Sequence, residues 1–268
     1  MKTLKFFQGF WIWLVLLFLY APILILAFYS FTSATMIGSI REFSLDNYVT
    51  LFTTPELVDM IIGTLLLAVG VALLSTILGT VGAIGSFYSS KKVRGAIELS
   101  NQIPVVNADV VTGFSVCILM IAIFHVRKDT YVPLVIGQTA LCVPFVYLSV
   151  IPRLKKMDHQ LYEAARDLGC TVGMAIWRVT IPQIVPGITS GFMTAITLSL
   201  DDYFIATYTK PATFNTISTY VVNATRGSQT SIKTALWALS AIIFLVVVLC
   251  VVGANVFGMR DKQKNETS

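Results

Sequence analysis

Charged side chains are scarce in this sequence. Asp, Glu, Lys and Arg make up 12% of the 268 residues, whereas 56% are hydrophobic and the mean hydropathy is +0.78. Soluble domains carry about 25% charged residues, so this composition excludes a domain that faces water on all sides. The formal net charge is +5. Because the basic residues lie between long apolar runs, this charge indicates orientation in a membrane rather than nucleic-acid binding.

Motifs for metal or nucleotide chemistry are missing as well. The four cysteines are scattered without a CxxC pair, and three of them fall inside apolar runs, so the sequence predicts neither a disulfide framework nor a zinc site. His125 and His159 are isolated, and we interpret them as surface residues rather than ligands. The chain has no phosphate-binding GxxxxGK(S/T) loop, which excludes ATP hydrolysis by the chain itself. We therefore expect no catalytic residue, no metal and no cofactor.

Long apolar runs dominate the chain instead. A bilayer core of about 30 Å needs about 20 apolar residues in a helix, and six runs meet this requirement. The first run is too long for a signal peptide and no clear cleavage site follows it, so we interpret it as a retained helix. The sequence thus predicts an all-α membrane protein with one transmembrane domain, residues 1–268. The predicted spans are 10–31, 61–88, 95–125, 131–151, 187–208 and 235–257.

Lys and Arg are unevenly distributed between the two sides of these spans. With the amino terminus inside, thirteen of the nineteen lie in inner segments and six in outer segments. The positive-inside rule therefore places both termini in the cytoplasm. The long loop between the fourth and fifth spans, residues 152–186, is then cytoplasmic too.

That loop carries helix signals of its own, within the stretch EAARDLGCTVGMAIWRVTIP. Asp158 is a suitable N-cap for a helix through HQLYEAARDL, and Gly169 stands where this helix would end in a left-handed turn. Thr171 is a suitable N-cap for a second short helix, VGMAIWRVT, which Pro182 and Pro186 then end. The sequence predicts a compact helical hairpin that protrudes from the membrane.

The spacing within this stretch resembles the cytoplasmic EAA loop of ABC importer permeases. The family pattern is EAA, three residues, G, nine residues and I-x-L-P, and both spacings occur here in the loop before the penultimate span. Val and Ile replace the family's Ile and Leu, which are similar in size and polarity. The resemblance implies that the ATPase-coupling residues are Glu163, Ala164, Ala165, Gly169, Val179, Ile181 and Pro182.

Two further stretches, PFVYLSVIPRLKKMDHQLYEAARDLG and TLSLDDYFIATYTKP, resemble the second permease subunit of spermidine/putrescine importers, the PotC type. This resemblance implies the MetI-like fold of a type I ABC importer permease in the bacterial plasma membrane. It also implies three kinds of partner: a second homologous permease, two cytoplasmic ATPase subunits that bind and hydrolyse ATP, and an extracytoplasmic polyamine-binding protein.

The residue types of the EAA stretch suit mechanical coupling. Since the chain cannot hydrolyse ATP, energy must reach it as movement, and a short rigid helix in a partner's groove can pass a rigid-body motion to the adjoining spans. Ala164 and Ala165 leave a surface that another backbone can approach closely. Glu163 offers a carboxylate to the partner, and Gly169 permits a sharp turn.

Carboxylates inside the predicted spans are a second functional signal. Each costs about 2.5–3.5 kcal/mol near the bilayer centre, so such residues usually face a bundle interior or a wet cavity. Adjacent helix positions diverge by about 100°, so we expect one of Asp201 and Asp202 to line a pathway and the other to bond to a neighbouring helix. Asp201 is the better pathway residue, since the whole LSLDD run resembles the polyamine type. The pathway candidates are Asp109, Ser199, Asp201, Asp202 and Tyr203.

Acidic residues in a wet cavity suit a cationic solute. Polyamines carry two to four positive charges on methylene spacers, which carboxylates and aromatic walls recognise through charge and cation–π contact. Alternatively, the aspartates are structural and bond to Ser199, to Thr197 or to the partner chain.

Other functions remain open at this level. An ABC permease for ferric ion or a small oxyanion would show the same EAA loop. A secondary transporter or channel could also use intramembrane acids, but it would not need the EAA spacing, and no inverted repeat is visible. An intramembrane aspartyl protease would need two facing aspartates, for which Asp109 and Asp201 could serve, but no GxGD motif accompanies them.

Small residues recur every four positions from Thr64 to Thr80, with Ser75, Gly79 and Ala83 alongside. Such a stripe is typical of a helix-packing face. It predicts a tight bundle and indicates little about a solute.

Overall fold

The computed structural model describes residues 2–33, 42–107, 109–127, 129–226 and 234–245, without the side chains of residues 2–10, 159, 225 and 226. The last part of the sixth predicted span, 246–257, lies outside the described residues. So do the side chains of several basic residues behind the predicted orientation: Lys2, Lys5, Arg41, Lys128, Arg226, Lys233, Arg260, Lys262 and Lys264.

Almost all of the described residues are helical, which confirms the predicted all-α membrane fold. Within that part of the chain, β-structure is limited to an isolated antiparallel bridge between Thr32 and Phe43. Two π-helical turns occur, Leu119–Ile123 after α5 and Ile176–Thr180 between α8 and α9. The helices are α1 (Lys2–Ser30), α2 (Asp46–Thr53), α3 (Pro55–Tyr88), α4 (Lys91–Val106), α5 (Asp109–Ile118), α6 (Val132–Lys156), α7 (His159–Asp167), α8 (Val172–Ala175), α9 (Ile181–Asp201), α10 (Phe204–Thr209), α11 (Ile217–Arg226) and α12 (Thr234–Leu245).

Four helical segments of the described chain are long and apolar enough to cross a membrane. They are Trp11–Ser30, Pro55–Tyr88, Val132–Lys156 and Val172–Asp201. A fifth arises when α4, α5 and the following π-turn are taken together as one bent span, and α12 is a shorter apolar helix. Every predicted span overlaps at least one of these apolar segments.

The region of the third predicted span contains two helices rather than one kinked helix. α4 runs through Pro104 to Val106, and the axes on either side of the following break differ by 106°. Asn107 adopts an extended backbone and donates its Nδ2 to Thr112 Oγ1 at 3.2 Å. Asp109 opens α5, where the helix dipole favours a carboxylate. α4 thus continues past Pro104, and the change of direction falls between α4 and α5.

The second helix of the predicted hairpin continues into the membrane span. The segment Val172–Asp201 is one apolar helix that passes through the π-turn, where the amide of Ile181 donates to the carbonyl of Ile176. Pro182 follows this wider turn directly, and the helix continues through it and through Pro186 to Asp201. The helix end predicted at Pro182 and Pro186 is therefore wrong.

The chain divides into two compact units, Met1–Val58 with Val221–Ser268 and Asp59–Tyr220. In the first unit an aromatic pair joins α1 to α12, since the rings of Tyr29 and Trp237 lie 6.0 Å apart in an edge-on arrangement. The second unit contains the EAA stretch and the acidic residues of the LSLDD run, so both candidate sites belong to the same compact body.

α6 lies at the centre of the second unit and contacts α4, α5, α9 and α10. Val146 of α6 packs between Gly79 of α3 and Gly191 of α9. A Cβ placed on Gly79 would lie 2.7 Å from Val146 Cβ, and one on Gly191 would lie 3.1 Å from Val146 Cγ1. The small-residue stripe of α3 is thus confirmed as a packing face. Its buried members include Thr64, Ala68, Ala72, Ser75, Thr80 and Ala83.

Candidate functional sites

Local capping builds the helical hairpin of residues 158–182, which we call the α7–α8 hairpin. Asp158 Oδ1 accepts the amide hydrogen of Gln160 at 2.9 Å and opens α7. Thr171 Oγ1 accepts that of Met174 at 3.3 Å and opens α8. Both predicted N-caps are confirmed, because each depends only on a side-chain oxygen and on amides two or three residues away.

The turn between the two helices of the hairpin needs a glycine. Gly169 has a φ of +86°, in the left-handed region. The amide of Gly169 donates to the carbonyl of Arg166 at 3.0 Å, and that of Cys170 to the carbonyl of Ala165 at 3.1 Å. These paired bonds form a Schellman motif, which satisfies carbonyls that the helix end would otherwise leave free. The predicted left-handed turn at Gly169 is confirmed.

The α7–α8 hairpin presents an exposed surface that is partly apolar. Glu163 and Ala164 are exposed and Ala165 is half-buried. Leu168 is 87% exposed and Trp177 is 72% exposed. Exposed apolar side chains so close together mark an interaction surface, and the sequence reasoning missed them although they interrupt a polar stretch. They are Leu161, Leu168, Val172, Met174 and Trp177.

One aromatic side chain of α3 fixes the hairpin to the bundle. The ring of Tyr88, the last residue of α3, lies 5.0 Å from the ring of Tyr162 in α7. Its Oη also lies 3.2 Å from Oγ1 of the buried Thr180, in the π-turn before α9. The EAA pattern does not include these three residues, and no local signal in the sequence singles them out.

The end of the EAA stretch lies at the point where the hairpin joins the membrane span. Val179 and Ile181 are half-buried, and Pro182 is exposed. Because the π-turn and α9 are continuous, these residues belong to the same rod as the membrane-spanning part of α9. The hairpin and α9 are therefore joined without a loop between them.

The start of α9 packs closely on α6 at two glycines. A Cβ on Gly187 would lie 2.8 Å from Arg153 Cγ and 3.0 Å from the carbonyl oxygen of Ser149. A Cβ on Gly191 would lie 3.2 Å from Val146 Cα. These glycines form the GxxxG sequence GITSG, which typically allows close helix contact in membranes. The spacing of the two glycines is visible in the sequence.

A buried glutamine links α6, α9 and α10. Gln138 Nε2 donates to Asp202 Oδ2 at 2.9 Å, and Gln138 Oε1 accepts from Ser199 Oγ at 2.8 Å. Asp202 also accepts the amide hydrogens of Ile205 and Ala206, both at 3.0 Å. The side chains of Gln138, Ser199 and Asp202 are buried. We call these three the Gln138 network.

The Gln138 network confirms that one of the two adjacent aspartates bonds to a neighbouring helix, and that residue is Asp202. Both of its carboxylate oxygens accept hydrogen bonds, so removal of one partner would leave a buried polar group unsatisfied. Sequence reasoning missed Gln138. A lone Gln within an apolar span is a usable signal, because an amide in hydrocarbon requires partners.

The remaining pathway candidates lie outside this network. Asp109, the first residue of α5, and Asp201, the last residue of α9, are exposed. Tyr203 is half-buried, with its ring 5.3 Å from that of Phe204. Neither Asp109 nor Asp201 makes a side-chain hydrogen bond to another residue of the described chain. Ser199 and Asp202 are thus hydrogen-bonded within the bundle, whereas the carboxylates of Asp109 and Asp201 are exposed and make no such bond within the described chain.

A positively charged side chain, that of Lys210, lies in the loop that follows α10. Lys210 Nζ donates to the carbonyl oxygen of Phe214 and to Asn215 Oδ1, both at 2.8 Å. Partial burial lowers the pKa of its ammonium group. These bonds hold the positive charge of Lys210 within its own loop.

A family model described as "Binding-protein-dependent transport system inner membrane component" matches residues 2–262. The chain belongs to this family. It is therefore a permease subunit of an ABC importer, as the EAA spacing indicated, and its family implies an ATPase and a substrate-binding protein as partners. It is also an inner membrane component, in agreement with its apolar helices.

The permease is similar to curated proteins over most of its length. It is 31% identical over 215 residues to the "Putrescine transport system permease protein PotI" of Escherichia coli strain K12, which covers 78% of the permease and 76% of the relative. It is 27% identical over 252 residues to the "Spermidine/putrescine transport system permease protein PotC" of the same strain, with coverage of 93% and 92%.

Solved structures support the fold of the permease. A chain of a bacterial alginate ABC transporter, in complex with a periplasmic protein bound to alginate pentasaccharide, matches with a TM-score of 0.71 at 21% identity. The match covers 92% of the permease and 91% of that chain. A second alginate transporter chain matches with a TM-score of 0.67, also at 21% identity, over 97% and 99%. At this identity the likeness concerns the fold alone.

Proposed function

We propose that the permease carries polyamines such as spermidine and putrescine, as half of the translocation pathway of an ABC importer. Its likeness to PotI and PotC, which are named for these solutes, carries the proposal. The other half of the pathway is a second homologous permease. An extracytoplasmic polyamine-binding protein delivers the solute, and two ATPase subunits supply the energy.

The α7–α8 hairpin is the proposed contact with the ATPase. Its exposed apolar residues bury against the partner, while Glu163 offers a carboxylate and Ala164 allows close approach. The Schellman turn and the two N-caps make the hairpin rigid before it docks, so docking orders few groups. Its continuity with α9 then carries the movement into the membrane.

The proposed orientation places both termini and the hairpin in the cytoplasm. Arg153, Lys155 and Lys156 lie in the last turn of α6 and are exposed there, directly before the hairpin. Basic residues at a helix end on the cytoplasmic side agree with the positive-inside rule.

Exposed carboxylates are the proposed attraction for the solute. The carboxylates of Asp109 and Asp201 are exposed and make no hydrogen bond to another residue of the described chain, so their charges are available to a polycation. Tyr203 lies two residues after Asp201 and supplies an aromatic ring for cation–π contact. Asp202 serves a different purpose in this proposal, since the Gln138 network occupies its carboxylate and fixes the junction of α9 and α10.

Uptake by the reconstituted importer tests the proposed solute. Proteoliposomes with both permeases, the ATPase and the binding protein should accumulate labelled spermidine or putrescine when ATP is inside. Ferric ion and phosphate are the comparison solutes. ATP-driven uptake of one of these comparison solutes, with none of polyamine, would overturn the proposed substrate but not the family.

A further inference from the structure

The carboxyl end of α3 is a meeting point of several elements of the second compact unit. Ser86 Oγ lies 2.9 Å from Tyr147 Oη of α6. Arg94 of α4 donates its Nε to the carbonyl oxygen of Ser86 at 3.2 Å and its Nη2 to that of Phe87, and its guanidinium lies 5.7 Å from the centroid of the Phe87 ring. This end of α3 is therefore tied to both α4 and α6.

Tyr88 adds two contacts with the hairpin at the same place. Its ring stacks at a tilt on Tyr162, with centroids 5.0 Å apart, and Tyr162 directly precedes Glu163 of the EAA stretch. Its hydroxyl meets that of Thr180, which is fully buried and lies in the π-turn between hairpin and span. The side chain of Tyr88 thus contacts the hairpin both at α7 and at the π-turn that joins it to α9.

These contacts differ in kind from the connection to α9. The hairpin and α9 are one continuous rod, so α9 moves with the hairpin by covalent connection. α3 has no such connection, because α4, α5 and α6 separate it from α7 along the chain. Direct contact between α3 and the hairpin is instead made by side chains, and Tyr88 supplies two such contacts.

We propose that Tyr88 is a positioning residue that makes α3 move together with the α7–α8 hairpin, so that ATPase movement reaches α3 in addition to α6 and α9, the two spanning helices that adjoin the hairpin along the chain. The inference rests on the proposed role of the hairpin as the ATPase contact. Tyr88 contacts the hairpin at two residues, Thr180 and Tyr162. Through Arg94, the movement of α3 then extends to α4.

Solute transported per ATP hydrolysed is the first readout, measured on the complete importer in proteoliposomes. Tyr88→Phe removes the hydroxyl and keeps the ring, and should lower this ratio about fivefold, the effect of one hydrogen bond. Thr180→Val removes the other hydroxyl and should have the same effect. The double variant should be no worse than either single variant, because both remove the same contact. Tyr88→Leu also removes the ring contact and should lower the ratio further.

Tyr48→Phe is the matched control. Tyr48 Oη lies 2.9 Å from Ser30 Oγ in the other compact unit, so this variant removes a comparable hydroxyl pair away from the hairpin. It should leave the ratio unchanged. An equal fall in Tyr48→Phe, or a normal ratio in Tyr88→Leu, overturns the proposal. Loss of the ATPase from the purified Tyr88→Leu complex also overturns it, because Tyr88 would then shape the docking surface rather than transmit movement.

A distance measurement without solute separates this inference from the proposed substrate. Spin labels at Gln160→Cys in α7 and Leu78→Cys in α3, both exposed positions, report the distance between the two elements in a background without other cysteines. The distance should stay constant between the nucleotide-free and ATP-bound complex, and should change with ATP in Tyr88→Leu. A change already present without the Tyr88 substitution contradicts the inference, whichever solute the importer carries.

Discussion

At the residue scale, the two adjacent aspartates at the end of α9 have different surroundings. Asp201 is exposed and has no side-chain hydrogen bond within the described chain, whereas Asp202 is buried and accepts three. The end of α9 explains how neighbours of the same type are divided in this way, because Asp201 is the last helical residue and Asp202 adopts an extended backbone between α9 and α10. A charge that is free can attract a solute, and a charge that is fully hydrogen-bonded can hold helices together.

Asp201→Asn should therefore reduce polyamine uptake and leave the complex intact. The amide keeps the shape of the side chain and removes its charge, so uptake should fall about tenfold, the effect of one charge-assisted contact. Uptake into proteoliposomes at limiting polyamine measures this effect. Normal uptake in Asp201→Asn and also in Asp109→Asn would show that neither carboxylate attracts the solute.

Asp202→Asn should instead reduce stability. If the new NH2 group takes the place of Oδ2, it faces the Nε2 donor of Gln138 and the amide of Ala206; if it takes the place of Oδ1, it faces the amide of Ile205. Either orientation leaves a buried donor without an acceptor, at a cost of about 1–3 kcal/mol. A lower melting temperature of the purified complex should show this cost, with Asp201→Asn as the neighbouring control. Equal melting temperatures for the two variants would mean that the Gln138 network contributes little.

Gly169→Val should abolish uptake while the spans still insert. At a φ of +86° a β-branched residue is strained, whereas Asn tolerates this region, so Gly169→Asn is the matched control and should retain most activity. No atom lies within 4 Å of a Cβ placed on Gly169, so any effect comes from the turn itself or from the partner that docks there. Wild-type transport by a normally assembled Gly169→Val importer would refute the docking role.

At the element scale, the caps of the hairpin could be predicted from sequence and the course of its second helix could not. Asp158, Gly169 and Thr171 act through bonds to residues within four positions, so the local sequence determines them. Whether a helix stops at Pro182 depends on the preceding π-turn, and Thr180 in that turn bonds to Tyr88, distant in sequence. Long-range contacts of this kind leave no local pattern.

The acidic site shows the same division. The sequence predicts carboxylates in the spans, but it reveals neither that α9 ends at Asp201 nor which of Asp201 and Asp202 finds a partner. That outcome depends on Gln138, which lies in another helix and has to come within 2.9 Å of Asp202. The GITSG glycines, by contrast, were readable from the sequence as a close-contact motif.

The α6–α9 contact gives a prediction for whole elements. Gly191→Ala should lower the melting temperature of the complex, because the new Cβ would lie 3.1 Å and 3.2 Å from atoms of Val146 and force the helices apart. Gly82→Ala in α3 is the control. No atom lies within 4 Å of its Cβ, and alanine favours the helix by about 1 kcal/mol, so it should be neutral or stabilising. A Gly191→Ala complex as stable as Gly82→Ala would contradict the close packing of α6 on α9.

At the scale of the whole molecule, the proposed function gives one permease chain half of a pathway and leaves the ATP chemistry to separate subunits. Purification through a tag on this chain should recover one copy of it, one second permease and two ATPase subunits, as mass measurement of the intact complex can show. A stable homodimer that transports polyamine without the second permease would disprove this assembly.

The central claim, that the α7–α8 hairpin receives the movement of the ATPase, is tested most directly by site-specific cross-linking in native membranes. A photoreactive cross-linker on Leu168→Cys, an 87% exposed position of the hairpin, should join the permease to the ATPase subunit. Phe43→Cys, 74% exposed and predicted to lie on the opposite side of the membrane, should give no such product. If Leu168→Cys yields no ATPase adduct, or if Phe43→Cys yields as much, the hairpin is not the docking element and this account of coupling is wrong.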